Sequence, residues 1–96
     1  MIRTPLSIEH TVVQKQGNLV SDMNGEKVML NIENGNYYNL GEIGGAIWER
    51  IQNPVSIKEL VHQLVSEYDV NEMECEEQVI SFLEHMGKEN LISIDQ

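Results

Sequence analysis

The fold is decided by Glu26-Lys27-Val28-Met29-Leu30-Asn31-Ile32-Glu33, then Asn34-Gly35, then Asn36-Tyr37-Tyr38-Asn39-Leu40. Apolar and polar residues alternate in the first part, which predicts a strand whose buried face carries Val28, Leu30 and Ile32. The Asn-Gly pair predicts a two-residue hairpin turn, because both residues tolerate positive φ. We therefore expect two antiparallel strands, the second of which is a sheet edge if the sheet ends there.

A second Asn-Gly pair, Asn24-Gly25, precedes this stretch and predicts another hairpin turn. The residues before it, 19–23, have an extended pattern. The two turns therefore define a three-stranded meander with residues 26–33 in the middle. Thr11-Val12-Val13-Gln14 is β-branched and strand-like as well.

Three amphipathic helical patterns follow the meander. The first covers residues 41–52, where Gly44-Gly45 indicates close packing against the sheet and Trp48 is expected to anchor the core. The second begins at Ser56 and the third at Asn71, each a helix N-cap residue with a glutamate three positions later. The predicted fold is α+β and winged helix-turn-helix-like, a three-stranded antiparallel β-meander followed by three α-helices.

Length and composition indicate one small domain. The 96 residues are 41% apolar, and residues 1–10 lack periodicity and contain Pro5, so we expect a flexible N-terminal arm before a single domain of residues 11–96. No apolar run approaches the roughly 18–20 residues that span a bilayer, and no secretory signal pattern is present. With a single cysteine, these features predict a cytoplasmic protein that does not bind membranes.

The charge balance restricts the partners. Sixteen acidic and six basic side chains give a formal net charge of −10. Nucleic-acid binding depends largely on Lys and Arg neutralising phosphates, so the charge argues against it. The acidity is explained either by solubility or by a basic partner that the electrostatic field attracts.

The sequence gives little support for catalytic residues. Cys75 lies on the apolar stripe of the third helix among glutamates, which would raise its pKa, whereas a reactive thiolate requires the opposite. The residues His10, His62 and His85 are scattered and lack the spacing of zinc ligands. We therefore expect no catalytic residue, no metal site and no cofactor.

The segment from Val28 to Leu40, continued by Gly44 and Ala46-Ile47-Trp48, resembles the PqqD-like family, also called the RiPP precursor-peptide recognition element. Its most recognisable part is Gly-x-Tyr-Tyr-x-Leu followed by Ile-Trp. The resemblance covers residues 19–92. The stretch from Ser21 to Glu26 looks most like the stand-alone members of lasso-peptide gene clusters.

The resemblance implies a non-catalytic protein. Such members bind the leader segment of a ribosomal precursor peptide and deliver it to a separate cysteine-protease-like leader peptidase, after which a cyclase closes the ring. The leader adds as an extra strand to the edge of the third strand, in a groove bounded by the last helix. In this chain the expected peptide-binding residues are Asn36, Tyr37, Tyr38, Asn39, Leu40, Cys75, Glu76, Val79, Phe82, Leu83 and Met86.

Other interpretations remain open at this point. Within the family, the chain could be a peptide chaperone for a radical enzyme in another RiPP pathway. From other classes, it could be a winged-helix DNA-binding regulator, which the charge disfavours, or an acidic structural adaptor. An open edge also permits dimerisation by strand pairing, so we expect a monomer or an edge-strand dimer.

Overall fold

The computed structural model describes residues 6–95. Within that range, six strands form two three-stranded antiparallel sheets, of order β2-β3-β4 and β5-β1-β6, together with three helices. The elements are β1 (Thr11–Gln14), β2 (Asn18–Met23), β3 (Glu26–Asn31), β4 (Tyr37–Asn39), α1 (Gly41–Arg50), β5 (Val55–Ser56), α2 (Ile57–Tyr68), α3 (Glu72–Lys88) and β6 (Ile92–Asp95). The predicted α+β fold, with its meander and three helices, is confirmed.

The second sheet was not predicted. Strand β1 pairs with β6 from Thr11 opposite Asp95 to Gln14 opposite Ile92, and with the two-residue strand β5. These partners lie far apart in the sequence, and β5 is too short to have a period of its own. The sheet therefore forms from long-range pairing that no local pattern indicates.

The part of the predicted N-terminal arm that the structure describes, residues 6–10, lies against the start of α2. The N–H of Lys58 donates to the carbonyl of Ile8, and the N–H of Ile57 to the carbonyl of His10, both at 2.9 Å. Leu6 and Ile8 pack against the core. Residues 1–5 of the predicted arm lie outside the described residues, and the division at residue 10 stays a prediction.

Strand β3 buries the face opposite to the one predicted. Met29 is 0% exposed and Asn31 is also buried, whereas Ile32 is 61% exposed and Val28 and Leu30 are only partly buried. The period of two is right, but its phase is shifted by one residue, which exchanges the two faces of the strand. The predicted buried face of Val28, Leu30 and Ile32 is therefore wrong.

The reason lies in Lys27, which shares the buried face with Met29. A Cβ atom on Gly45 of α1 would lie 3.0 Å from Cγ and Cδ of Lys27, so the lysine stem covers the glycine. Its Nζ atom lies 3.1 Å from Glu49 and 3.4 Å from Asp22. The hydrogen bond to Glu49 is the main cause of the raised pKa of Lys27. A residue that looks solvent-facing in the sequence thus occupies the helix-facing side.

The two Asn-Gly pairs form different turns. At Asn24-Gly25, φ is 58° and 85°, so both residues are left-handed and the predicted two-residue turn is confirmed. At Asn34-Gly35 only the glycine has positive φ, and a loop of residues 32–36 replaces the predicted two-residue turn. That prediction is wrong because Asn31 stabilises the wider loop, accepting the N–H of Asn34 on Oδ1 at 2.9 Å and that of Gly35 on its carbonyl at 2.8 Å.

The helix starts are as predicted. Ser56 Oγ accepts the N–H of Glu59 at 3.1 Å, and Asn71 Oδ1 accepts the N–H of Glu74 at 3.1 Å. No helix within residues 6–95 combines the length and the apolar character that crossing a membrane requires. The helices and the inner sheet faces enclose one core, which includes Trp48 and consists of Val12, Met29, Leu40, Ala46, Ile47, Trp48, Ile51, Ile57, Leu60, Val61, Leu64, Cys75, Val79, Leu83, Met86, Leu91 and Ile92.

Candidate functional site

Strand β4 is an edge of the first sheet. It pairs with β3 on one side, and within residues 6–95 no strand pairs with its other side. The ladder to β3 is anchored at both ends: the N–H of Leu40 donates to the carbonyl of Lys27 at 2.9 Å, and the N–H of Asn31 to the carbonyl of Asn36 at 3.0 Å. The protein's own described backbone therefore leaves this edge open.

The outward-pointing backbone groups of β4 belong to Tyr37 and Asn39. Hydrogen-bonded and non-hydrogen-bonded pairs alternate along an antiparallel ladder. The two anchoring bonds fix this alternation, so that Tyr38, opposite Met29, exchanges hydrogen bonds with β3. The N–H and C=O groups of Tyr37 and Asn39 then point away from β3, where a peptide added as a further strand could pair with them.

The space between the open edge of β4 and α3, called here the β4–α3 groove, is closed at its base by two contacts. Tyr38 Oη donates to Oε1 of Glu89 at 3.1 Å. The ring of Phe82 lies over Gly44, where a Cβ atom would be only 2.7 Å from Cε1 of the ring. The absence of a side chain at Gly44 therefore lets the ring settle against the start of α1. We take the side chains of Tyr38 and Phe82 as the candidate floor of the groove.

The predicted residues on β4 have different environments. Tyr37 is 72% exposed, and Asn36 and Asn39 are exposed too. Asn39 Oδ1 accepts the N–H of Gly41 at 3.0 Å, which connects the strand to the start of α1. Leu40 is a core residue, 7% exposed, so its side chain supports the strand from below.

On α3 the structure separates the predicted residues. Phe82 is partly buried at the groove, whereas Glu76 lies on the opposite flank and lines a cavity with His62 of α2. The remaining four predicted residues are buried in the core: Cys75, Val79, Leu83 and Met86. The apolar stripe is thus the core-facing side of α3, and its assignment to the peptide-binding surface stays a prediction.

The row of α3 that accompanies Phe82 was missed in the sequence. Residues three and four positions apart share a helix face. Gln78 and His85 of α3, both exposed, and the C-cap residue Glu89 stand at these spacings around Phe82. The row 78-82-85-89 is mostly polar, so only its spacing around a single aromatic residue could have indicated it.

Cys75 has the environment of a structural thiol. It is 6% exposed, and burial raises its pKa. Within residues 6–95, no group of His, Cys, Asp and Glu side chains is arranged to hold a metal ion. Nothing in this region of α3 therefore activates a nucleophile.

We expect Cys75 to react slowly with the thiol reagent DTNB at neutral pH in the folded protein, and fast and completely after denaturation. The reason is that the thiolate, which is the reactive form, is disfavoured by burial and the sulfur is inaccessible. Absorbance at the thionitrobenzoate band measures both rates. Equal rates in the folded and denatured protein would contradict the buried position.

Comparison with known proteins adds three findings. The sequence model of the family described as "Coenzyme PQQ synthesis protein D (PqqD)" matches residues 26–92. The structure of TbiB1 in complex with the TbiA(beta) leader peptide is similar with a TM-score of 0.73 and 22% identity, covering 84% of this chain and 94% of that one. A lasso peptide synthetase B1 complexed with the leader peptide has a TM-score of 0.72 and 18% identity, covering 85% and 96%. No curated protein sequence matches.

Proposed function

Because the chain belongs to the PqqD family, as the match over residues 26–92 shows, we propose that it binds the leader segment of a ribosomal precursor peptide. The leader adds as a strand to β4, and the protein delivers it to a separate cysteine-protease-like leader peptidase in lasso-peptide biosynthesis. The observation that carries this proposal is the open edge of β4 beside the aromatic floor of the groove. Both similar structures are complexes with leader peptides, which supports the same class of ligand.

Backbone pairing and side-chain pockets have separate roles in this proposal. Edge hydrogen bonds to Tyr37 and Asn39 bind a peptide whatever its sequence, while alternate side chains of the added strand point into the groove. There an apolar side chain of the leader packs on Phe82 and Tyr38. The net charge of −10, with Glu89 at the groove, favours a basic leader.

The protein has no catalytic part in this proposal. The buried thiol of Cys75 is not available to a substrate, so cleavage belongs to the peptidase and ring closure to a cyclase. The chain acts as a carrier in the cytoplasm, where precursor peptides are synthesised. It acts as a monomer, with β4 free for the leader.

Titration of a fluorescently labelled leader peptide, synthesised from a precursor reading frame sought in the neighbouring genes, tests the proposal by anisotropy. We expect saturable binding at low salt that weakens as salt is added, because part of the attraction is electrostatic. Absence of binding at low salt would overturn the proposal.

A variant pair locates the peptide. Phe82→Ala should weaken leader binding about fivefold, or roughly 1 kcal/mol, because the aromatic floor is lost. Met73→Ala, on the first turn of α3 and 74% exposed, is the matched control and should leave the dissociation constant unchanged. Circular dichroism confirms that both variants are folded. Equal effects of the two substitutions would exclude the groove as the binding site.

The family description favours one alternative within the same class of function, because it names coenzyme PQQ synthesis. In that case the peptide would be presented to a radical enzyme rather than to a peptidase. Co-purification with each candidate enzyme in the presence of the precursor distinguishes the two pathways.

A further inference from the structure

The face of the first sheet that points away from the helices is apolar and exposed. Leu19, Leu30 and Tyr37 stand opposite one another across the three strands. Met23 ends β2 on that side, and the exposed Ile32 follows directly after the last residue of β3. The exposed fractions are 57% for Leu19, 58% for Met23, 61% for Ile32 and 72% for Tyr37. We call this surface the outer sheet face.

This surface is more than a scatter of single apolar residues. Isolated exposed apolar side chains are common on soluble proteins, whereas a contiguous patch of roughly 300–600 Å² often has a function. The outer sheet face is contiguous across the three strands, because Leu19, Leu30 and Tyr37 are cross-strand neighbours. Since β3 buries its other side, through Met29, none of this surface belongs to the core.

We propose that the outer sheet face docks the enzyme that processes the bound peptide, through an apolar patch rimmed by Lys and Arg; this rests on the proposed function. Charge complementarity supports such a partner. Glu26, on the same side of β3 as Leu30, and Glu33, directly after Ile32, are both exposed. Lys27 points to the opposite side of the sheet, where it lies near Glu49 and its cross-strand partner Asp22. A partner with basic side chains around an apolar centre complements this arrangement.

The position of the face supports the same partner. Tyr37 contributes its side chain to the outer sheet face and its outward backbone groups to the edge of β4. An enzyme docked on this face therefore stands directly beside a peptide added to the edge.

The charge of the protein argues against a second copy of this chain. Two copies, each with a net charge of −10, would repel one another. An oppositely charged partner fits this observation.

The test uses biolayer interferometry with the purified leader peptidase of the same biosynthetic pathway. The double substitution Leu19→Ser with Ile32→Ser should weaken peptidase binding about tenfold, since two exposed apolar contacts are lost. Met73→Ser, which replaces a side chain at least as exposed but on α3, should leave peptidase binding unchanged. Anisotropy of the labelled leader should be the same for all three proteins, which separates this proposal from the proposed function.

Each alternative outcome has a defined meaning. Peptidase binding that is absent in the unmodified protein, or unchanged in the double variant, overturns the docking proposal while leaving leader binding intact. Light scattering provides a further test. If the unmodified protein is a dimer and the double substitution dissociates it, the face binds a second copy of the chain, and the docking proposal is overturned. Glu26→Lys with Glu33→Lys should weaken peptidase binding and reduce its salt dependence, and an unchanged salt dependence would contradict the charged rim.

Discussion

Substituting proline for Tyr37 is expected to weaken leader binding about 30-fold. Proline removes the outward N–H of β4, so a carbonyl of the added peptide loses its partner, at a cost of roughly 2 kcal/mol. The ladder to β3 stays intact, because Tyr37 forms a non-hydrogen-bonded pair with Leu30. Proline is also tolerated on edge strands when its missing N–H faces outward.

Tyr37→Ala is the matched control, since it removes the same side chain and keeps the N–H. We expect it to weaken leader binding less than about threefold, because the backbone group carries the contact. Calorimetric titration with the synthetic leader gives both dissociation constants. If the alanine and proline variants bind equally, the peptide does not pair with the backbone at this position, and strand addition at β4 is excluded.

The sequence predicts those parts of the fold that depend on local interactions. The turn at Asn24-Gly25 and the caps at Ser56 and Asn71 depend on residues within three positions, and all three are as predicted. The turn at Asn34-Gly35 has the same two residue types as the turn at Asn24-Gly25 but a different structure. There a side chain outside the pair, that of Asn31, hydrogen bonds to the loop.

The site is predicted less completely than the fold. A periodic pattern shows which residues share a face of a helix or strand, but not which part of the protein that face contacts. On α3 the apolar stripe packs into the core, and the groove lies beside a neighbouring row of which Phe82 is the aromatic member. Leu83 is as apolar as Phe82 and one position away, yet it is fully buried. Only the placement of α1 against α3, which Gly44 permits, determines which of the two reaches the groove.

Periodicity also did not show which of the two faces of β3 is buried. The observed orientation leads to a prediction about stability. Met29→Ala should lower the free energy of unfolding by about 3 kcal/mol, since truncating a fully buried side chain loses its burial and leaves a cavity. For a chain of this length the free energy of unfolding is roughly 5–14 kcal/mol. The variant should therefore remain folded but unfold at a clearly lower urea concentration. The fluorescence of Trp48, the single tryptophan of the chain and a core residue, reports the transition.

Ile32→Ala is the control, because it shortens an aliphatic side chain directly after the end of β3, where 61% of the residue is exposed. We expect it to change the free energy of unfolding by less than about 0.5 kcal/mol. The reverse order, with Ile32→Ala the more destabilising, would mean that β3 buries the face of Val28, Leu30 and Ile32. The outer sheet face would then be core, and no partner could dock on it. The two urea transitions therefore test the orientation of the sheet on which both the open edge and the docking surface depend.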